Sequence, residues 1–351
     1  MSKMRVSVER KTEMSANVVT SKPPYRVPAM SEIAGTPDNG YRVVSTFSGC
    51  GGSCLGYRMA GFRITWANEF IPAAQAVYRA NHPDSILDTR DIRTIQPEEI
   101  LRAVGLKAGE MDLLDGSPPC ASFSTAGKRE RDWGKVKEYS DTVQRTDDLF
   151  FEYARLLKGL QPKVFVAENV SGLVKGTAKG YFLVILEALK QCGYRVTAKL
   201  LDAQWLGVPQ MRQRIIFVGV RNDIPLSPAQ PSPMPYRYTV RDACSHLSQF
   251  ALTGGDDKQQ WVMRWRSAEY PFPTLTQSIG GKCHWVRERE TGQVRRPTIP
   301  ELKALCGFPE DFCLSGSYAQ QWERLGRAVP PVMMFRIAKT IEEAILCRTT
   351  R

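Results

Sequence analysis

The stretch YRVVSTFSGCGGSCLGYRMAGFRITWANE, residues 41–69, combines a strand, a glycine-rich turn, a helix and a second strand. Residues 41–47 are rich in β-branched and aromatic side chains, which favours a strand. The glycines that follow allow backbone conformations closed to other residues, and a helical pattern comes directly after them. A second strand over residues 63–69 ends on Glu69. The segment therefore predicts two parallel strands joined by a crossover helix.

The same alternation of strands and helices continues to residue 220. The predicted helices are AAQAVYRANH, DDLFFEYARLLKGL and GYFLVILEALKQCG, and the further strands are MDLLDG, KVFVAENV, RVTAKLLDA and RIIFVGV. A short strand or turn is expected near Asp91. This order predicts an α/β fold with a doubly wound, mostly parallel sheet and helices on both faces.

Length and composition suggest one large domain and a smaller one. The chain has 351 residues, of which 42% are hydrophobic, so it can bury a full core. Residues 1–40 are polar and lack periodicity, and we expect a mostly disordered arm there. Residues 41–220 and 296–351 are expected to form a cofactor-binding catalytic domain. Residues 221–295 open with the proline-rich crossing IPLSPAQPSPMPYRY and are expected to form a second lobe.

Charge and cysteine usage indicate an intracellular protein with a polyanionic partner. The formal net charge is +12, which favours such a partner. The nine cysteines include no CxxC pair, which is typical of free thiols in a reducing compartment. Cys50 and Cys54 are spaced CxxxC and Cys283 precedes His284, but they lack partners at metal-site spacing, so no metal is expected. Without a secretory signal or a long apolar run, we expect a cytoplasmic protein and no membrane partner.

The glycine-rich turn is the predicted cofactor site. Ligands of such sheets bind beyond the carboxyl ends of the strands, usually at the first turn from strand to helix. Gly49, Gly51 and Gly52 lie in that turn, although the third glycine of a GxGxxG pattern is replaced by Cys54. Glu69 stands where an acid commonly accepts hydrogen bonds from ribose hydroxyls. These residues indicate an adenosine-type cofactor, either NAD or S-adenosylmethionine; a glycine turn and a surface glutamate without a ligand remain the alternative.

A thiol follows a rigid turn in DLLDGSPPCASFS, residues 112–124. Pro118 and Pro119 restrict the backbone just before Cys120, at the end of a predicted strand. A phosphatase loop needs Arg six residues after the cysteine, where this chain has Ala126. A cysteine protease needs a paired histidine, and none of the three histidines has a suggestive context. A buried, incidental cysteine is the simplest alternative.

Addition to cytosine is a chemistry that fits. A thiolate that adds to C6 makes C5 nucleophilic enough to attack an electrophilic carbon on a sulfonium. The reaction needs an acid near N3 and the exocyclic amine, and a donor for O2. Glu168 ends one predicted strand, and Arg212 and Arg214 open another, so all could converge over Cys120. Each of them alone is equally explained as a cap or a solvated surface charge.

Over roughly residues 41–346 the chain resembles the DNA (cytosine-C5) methyltransferases. The matching segments, in order, are TFSGCGG, NEF, Asp91-Ile92, GSPPCASFS, ENV, GVPQMRQR, RRPTIPELKALCGFPEDF and AVPP. The resemblance implies S-adenosylmethionine as donor, Cys120 as nucleophile, base contacts from Glu168 and Arg214, and phosphate or loop contacts from Arg212. It also implies that Phe47 stacks near the adenine and that Leu149 lines its pocket. The full set of implied cofactor contacts is Phe47, Ser48, Gly49, Cys50, Gly51, Gly52, Glu69, Phe70, Asp91, Ile92, Pro119, Leu149, Arg327, Ala328 and Val329.

The resemblance further implies double-stranded DNA as substrate, a monomeric enzyme of bacterial or phage origin, and a target-recognition domain at residues 221–295. A target carbon inside the duplex must be flipped out, and the loop after Cys120 closes over it in this family. The loop residues 125–147 could clamp phosphates through Lys128, Arg129 and Arg131, or form a solvated insertion. The second lobe mixes cations with Trp261, Trp265 and Trp285, as a groove-reading module does. The expected DNA contacts are Ser124, Lys128, Arg129, Arg264, Arg266, Lys282 and Arg287.

Two positions depart from the family pattern. Ala121 replaces the usual Gln after the cysteine, and GRAVPP places Arg327 where the family has Asn. A guanidinium about 4 Å from a sulfonium would be repelled by about 4 kcal/mol at an effective dielectric of 20. Either Arg327 turns to a phosphate or pairs with an acid such as Glu69, or the donor is carboxy-S-adenosylmethionine, whose extra carboxylate it binds. Plain methylation is the expected reaction; 5-carboxymethylcytosine is the alternative product.

Three other functions fit part of this pattern. The tRNA-acting members of the family share the chemistry, and assays on duplex DNA and structured RNA separate them. An NAD-dependent dehydrogenase would use the same glycine turn but does not explain the ENV and arginine motifs. A non-catalytic DNA-binding regulator would not form a covalent adduct through Cys120.

Overall fold

The structure, a computed structural model, describes residues 22–119, 137–139, 142–144, 149–174, 178–255, 261–279 and 284–349. Its central sheet has seven strands: β1 Arg42–Thr46, β2 Arg63–Asn68, β3 Ile86–Asp88, β4 Leu113–Gly116, β5 Val164–Val170, β6 Tyr194–Asp202 and β7 Gln213–Arg221. The strand order is β3-β2-β1-β4-β5-β7-β6. Strands β1 to β5 pair in parallel, and β7 runs antiparallel to β5 and β6. The predicted mostly parallel, doubly wound sheet is confirmed.

Helices cover both faces of this sheet. They are α2 Gly52–Met59, α3 Pro72–Asn81, α4 Pro97–Val104, α5 Leu149–Leu160, α6 Ala178–Gln191 and α10 Pro331–Ile341, the last followed by a π-helical turn Glu342–Leu346 and a short helix α11 Cys347–Thr349. The short helix α1 Met30–Ala34 precedes β1 and packs in a third core, around Trp322. Side chains along β1 and β4 alternate between two cores. Val44 and Leu114 pack with α4, α5 and α6, whereas Val43 and Leu113 pack with α2, α3 and α10. A sheet buried on both faces needs such continuously apolar strands.

A second, antiparallel sheet follows the proline-rich crossing and the short helix α7 Val240–Ala243. Its strands are β8 Leu247–Gly255, β9 Trp261–Ser267, β10 His284–Glu288 and β11 Val294–Arg295, in the order β9-β8-β10-β11. The core of this sheet extends beyond residue 295, because Phe250 and Val286 pack with Leu302 of α8 Ile299–Leu305 and with Trp322 of α9 Tyr318–Arg327. The second lobe therefore shares its core with the helices assigned above to the catalytic domain.

The expectation of a disordered arm is wrong for residues 22–40. Lys22 forms an ion pair with Asp242 at 2.6 Å, and the Tyr25 hydroxyl donates to the carbonyl of Ala304 at 2.7 Å. Ile33 of α1 is 3% exposed and belongs to the core around Trp322. The segment is ordered because its few aromatic and aliphatic side chains are buried against residues distant in sequence.

Two smaller pairings complete the described structure. Lys137–Tyr139 pairs antiparallel with Thr142–Gln144, and Gln210–Met211 pairs in parallel with Phe272–Pro273. None of the helices in the described ranges is both long enough and apolar enough to cross a membrane.

Candidate cofactor and target-base site

A cavity of about 910 Å³ lies at the carboxyl ends of β1, β2, β4 and β5, between the central sheet and the second lobe. Many predicted residues line it: Phe47, Ser48, Gly49, Cys50, Gly52, Glu69, Phe70, Ile92, Pro119, Glu168, Arg214, Arg327, Ala328 and Val329. The opposite wall contains Leu252, His284 and the segment 273–277, for which the sequence carried no signal. Residues from many separate parts of the chain, between Phe47 and Val329, thus meet at one site.

The turn after β1 has an unusual backbone. Phe47, Gly49 and Gly51 have positive φ angles of 54°, 57° and 88°. Such a conformation is uncommon for a residue with a side chain, and Phe47 adopts it at the wall of the cavity. A Cβ atom on Gly52 would lie 2.4 Å from the carbonyl oxygen of Val329. The turn is therefore packed too closely against the AVPP segment to admit a side chain at this position.

Glu69 ends β2 beside this turn, as predicted. The amide of Gly49 donates to its Oε2 at 2.7 Å, and the amide of Ile71 donates to its Oε1 at 2.8 Å. The side chain is buried, and burial raises the pKa of Glu69 despite these two hydrogen bonds. Each carboxylate oxygen retains a second lone pair that can accept a hydrogen bond from a ligand hydroxyl.

Three predicted cofactor residues do not line the cavity. Gly51 precedes α2, and a Cβ on it would lie 2.2 Å from Nε2 of the buried His82, so it lies against protein. Asp91 pairs with Arg93 at 3.0 Å and caps the short helix Ile92–Thr94. Leu149, the first residue of α5, is fully buried in the core with Ile92. Gly51 and Leu149 thus lie behind the cavity wall, which corrects the expectation that they contact the cofactor directly. The contact expected of Asp91, whose side chain is 28% exposed, stays a prediction.

Glu168 and Arg214 meet at the adjoining end of the cavity. Arg214 pairs with Glu168 through Nε and Oε1 at 2.6 Å, and both side chains are about nine-tenths buried, being 12% and 11% exposed. The register of β5 and β7 brings them together across the sheet. A charge-assisted hydrogen bond of this kind orients the carboxylate at the cavity.

The turn that precedes Cys120 lies on the same rim. Pro118 and Pro119 line the cavity, and the Asn169 side chain donates to the carbonyl of Pro118 at 3.2 Å. That bond ties the ENV strand end to the proline turn. The predicted residues Cys120, Ala121, Ser124, Lys128, Arg129, Arg131 and Lys282 lie outside the described residues.

Of the phosphate or loop contacts expected of Arg212, the structure supports the loop contacts and not the phosphate contacts. Its side chain is 1% exposed and does not line the cavity. The guanidinium donates to the carbonyls of Leu275 and Gly326 at 3.0 and 2.9 Å. Burial lowers the pKa of Arg212 to about 9, and the charge of Arg214 lowers it too. Arg212 therefore joins the wall segment around Leu275 to the end of α9, and is too deeply buried to reach a phosphate.

Arg327 lines the cavity and is paired with an acid other than the one expected. Its Nη2 lies 2.7 Å from Oε1 of Glu323, one helical turn earlier in α9. Arg324 also lines the cavity and is buried. Both guanidinium groups act to lower the pKa of Glu69. Arg324 was not predicted from the sequence, although its i,i+3 spacing from Arg327 places both residues on one helix face.

Three of the arginines predicted to contact DNA, Arg264, Arg266 and Arg287, lie in the second sheet, but not all on the same face. Arg264 and Arg266 of β9 are exposed and pair in register with Leu252 and Phe250, so they share a sheet face with the cavity-lining Leu252. Arg287 lies on the opposite face, 4.4 Å from the ring of Trp265. It also donates to Gln249 at 2.9 Å. The structure thus brings Arg264 and Arg266 together beside the cavity and places Arg287 elsewhere.

In the part of the chain that the structure describes, no three His, Cys, Asp or Glu side chains are grouped so that they could hold a metal ion. Cys50, Cys54, Cys192, Cys244, Cys306, Cys313 and Cys347 are free thiols. Burial raises the pKa of Cys50, which lines the cavity, to about 12, so this thiol is neutral.

A doubly wound sheet with this glycine turn and this acid after β2 defines the class of enzymes that use an adenosine-type cofactor. Comparison with known proteins identifies the family. The model of the C-5 cytosine-specific DNA methylases matches residues 41–251 and 250–343. The chain is 31% identical over 346 residues to the Type II methyltransferase M1.HphI of Haemophilus parahaemolyticus, covering 88% of this chain and 87% of the relative. The chain belongs to the C-5 cytosine-specific DNA methylase family.

Other relatives and solved structures agree. The Type II methyltransferase M.NgoPII of Neisseria gonorrhoeae is 28% identical over 360 residues, covering 90% of this chain and 99% of the relative. A DNA modification methyltransferase encoded within an E. coli prophage superposes with a TM-score of 0.67 at 21% identity, covering 87% of this chain and 99% of that one. A Spodoptera frugiperda DNMT2 mutant superposes with a TM-score of 0.63 at 18% identity, covering 86% and 100%. These two structural similarities support the assignment of the doubly wound α/β fold.

Proposed function

We propose that the protein transfers a methyl group from S-adenosylmethionine to C5 of a flipped-out cytosine in duplex DNA, through a covalent bond between Cys120 and C6. The observation that carries this proposal is the Glu168–Arg214 pair, which borders the same cavity as the glycine turn and Glu69. A cofactor site and a base-binding acid thus share one cavity, with the turn leading to Cys120 on its rim. All of these residues come from one chain, so we expect the monomer to be active.

The cofactor's contribution is an electrophilic methyl carbon on a sulfonium. Glu69 can accept hydrogen bonds from the ribose hydroxyls, and Phe47 and Ile92 supply apolar surface for the adenine. The close packing of Gly52 on Val329 keeps the turn in the shape that admits the ligand. Asp91 caps the short helix Ile92–Thr94, which helps to fix Ile92 at the cavity wall.

The remaining steps belong to the protein. The Cys120 thiolate adds to C6 of the base while Glu168, which must be protonated for this step, donates its proton to N3 and becomes a carboxylate, so that the electron pair reaches C5 as an enamine. Arg214 holds the Glu168 carboxylate in place and can donate to O2 of the base. Transfer of the methyl group to C5 breaks its bond to the sulfonium sulfur and releases S-adenosylhomocysteine, after which a base removes the C5 proton. The C6–sulfur bond then breaks and the N3 proton returns to Glu168, which releases the thiolate of Cys120 and 5-methylcytosine.

The second lobe is proposed to recognise the target sequence. Arg264 and Arg266 project from an edge strand on the sheet face that leads to the cavity, where they can contact phosphates or base edges. Arg287, which packs on Trp265, is proposed to stabilise the sheet instead.

The test is covalent trapping. Duplex DNA that carries 5-fluorocytosine should form an adduct with the wild-type chain and S-adenosylmethionine, because fluorine at C5 blocks the final elimination. Cys120→Ser should form none while still binding S-adenosylhomocysteine. The same assay on structured tRNA decides between nucleic acids: trapping on tRNA and not on DNA contradicts the proposed substrate, and near-normal turnover by Cys120→Ser contradicts the mechanism.

A second donor, carboxy-S-adenosylmethionine, is favoured by one observation, the place of Arg327 in the cavity wall. Its extra carboxylate could bind the guanidinium in a bidentate manner, and transfer would yield 5-carboxymethylcytosine. The ion pair with Glu323 counts against it, because a neutralised guanidinium also tolerates the ordinary sulfonium. Transfer from both donors should be compared in the wild type and in Arg327→Asn. A preference for S-adenosylmethionine that this substitution leaves unchanged excludes the carboxymethyl reaction.

A further inference from the structure

A buried acid lies beside the cofactor turn and has no part in the mechanism above. Asp115 is in β4, and its side chain is 1% exposed. The Tyr57 hydroxyl donates to its Oδ1 at 3.2 Å, and the Ser45 hydroxyl donates to its Oδ2 at 3.1 Å. Among the described residues, the side chains that donate to the acid are thus the hydroxyl groups of Ser45 and Tyr57.

A chain of hydroxyl groups connects this acid to the cavity. The Ser48 Oγ lies 3.1 Å from Ser45 Oγ and 3.2 Å from the Ser45 carbonyl oxygen. Ser48 belongs to the turn after β1 and lines the cavity. Asp115, Ser45 and Ser48 therefore form a hydrogen-bonded series, the hydroxyl chain, which runs from the interior of the sheet to the cavity wall.

The groups around Asp115 leave its charge without a counterion. Tyr57 and Cys54 face it from α2, Tyr153 from α5, and Glu168 from β5. Burial raises the pKa of Asp115 to about 7, although the hydrogen bonds from the two hydroxyl donors lower it. The charge of Glu168 also contributes to the raised pKa. No cation is among these neighbours in the part of the chain described by the structure. Both protonation states of Asp115 are therefore accessible near neutral pH.

We propose that Asp115 is a positioning residue that sets the direction of the hydroxyl chain and so controls the affinity of the cavity for a cationic cofactor. The inference rests on the proposed function, because the cation is the sulfonium of S-adenosylmethionine. When Asp115 is ionised, Ser45 donates to it and Ser48 donates to Ser45. The lone pairs of Ser48 then remain available to a ligand, and the buried negative charge attracts the cation.

Protonation reverses the series. A neutral Asp115 donates a hydrogen bond to the Ser45 hydroxyl oxygen. The hydroxyl hydrogen of Ser45 then turns towards Ser48. The oxygen of Ser48 accepts that bond and is a poorer acceptor for the ligand, while the attraction of the buried charge is lost. Affinity for a cationic ligand therefore falls as the pH falls through the pKa of Asp115.

The experiment measures dissociation constants of the full chain by calorimetry between about pH 6 and pH 8. Affinity for S-adenosylmethionine should weaken by about 3- to 10-fold towards the acid end. Affinity for S-adenosylhomocysteine, which lacks the sulfonium charge, should change less. Asp115→Asn should abolish the difference in pH dependence between the two ligands. Tyr57→Phe should move the midpoint to higher pH, because it removes a donor to the ionised form.

A matched control is Asp112→Asn, which removes the acid that precedes β4 and pairs with Lys163 at 2.8 Å, outside the cavity lining. This variant should keep the wild-type pH dependence. The inference is overturned if the affinity of the wild type for S-adenosylmethionine does not change with pH. It is also overturned if the pH dependence of this affinity survives in Asp115→Asn and its midpoint is unchanged in Tyr57→Phe. A chain that binds neither ligand at any pH contradicts the proposed function itself, so the two failures are distinguishable.

Discussion

Arg212 and Arg214 are two residues apart, and the structure predicts opposite consequences of replacing them by methionine. Arg212→Met leaves the carbonyls of Leu275 and Gly326 without their donor. Two buried acceptors that lose their partner would cost about 2–6 kcal/mol in total. Part of this loss is offset because the substitution also removes a buried charge, whose unfavourable burial shows in the lowered pKa of Arg212. We therefore expect a net loss of about 2 kcal/mol in the free energy of unfolding.

Arg214→Met should behave differently. Its partner Glu168 borders the cavity, where water can solvate the carboxylate, so the loss of unfolding free energy should stay below the ~3–5 kcal/mol that follows from breaking a fully buried ion pair. Turnover should fall by about 10²-fold or more, because the carboxylate loses the group that orients it. Urea unfolding and single-turnover methyl transfer are measured on both variants. Equal stability of Arg212→Met and wild type, or equal losses of turnover in the two variants, would refute the assignment.

Three further outcomes are expected. Glu168→Gln should lower the single-turnover rate by about 10²- to 10⁴-fold with unchanged S-adenosylhomocysteine binding, and unchanged kinetics would remove this residue from the site. The folded pKa of Asp115 is raised to about 7 from 3.8, so the stability that its protonated form contributes is complete only below about pH 4 and is lost as the pH rises through 7. Thermal unfolding should therefore show the free energy of unfolding of Asp115→Asn rising relative to that of the wild type by about 2.6 kcal/mol between about pH 5 and pH 8, and an equal difference at both pH values would contradict this. Arg264→Ala with Arg266→Ala should weaken DNA binding and reduce its salt dependence by about one unit of slope for each phosphate that is no longer neutralised, whereas Arg287→Ala should leave the slope unaltered.

Local pattern was enough to predict the frame of this protein. Alternating strands and helices specify the doubly wound sheet, because a strand buried on both faces is a short, continuous apolar run, whereas an amphipathic helix repeats its apolar residues about every 3.6 positions. The positions of Gly49 and Glu69 in the sequence likewise predict that they lie just beyond the carboxyl ends of β1 and β2. The Glu168–Arg214 pair follows from the same reasoning, since adjacent strands in one sheet bring their ends together. For these residues the site is a consequence of sheet topology.

Tertiary packing decided the rest. Arg212 and Arg214 look equivalent in GVPQMRQR, and only the carbonyls of Leu275 and Gly326, distant in sequence, bury the first and leave the second at the cavity. Residues 22–40 have too little apolar content to predict order, yet they are ordered where Tyr25 and Ile33 meet a surface formed elsewhere in the chain. Asp115 gives no sign of its hydroxyl partners in the sequence. A side chain's burial, and hence its charge and role, depends on neighbours that only the folded chain brings within reach.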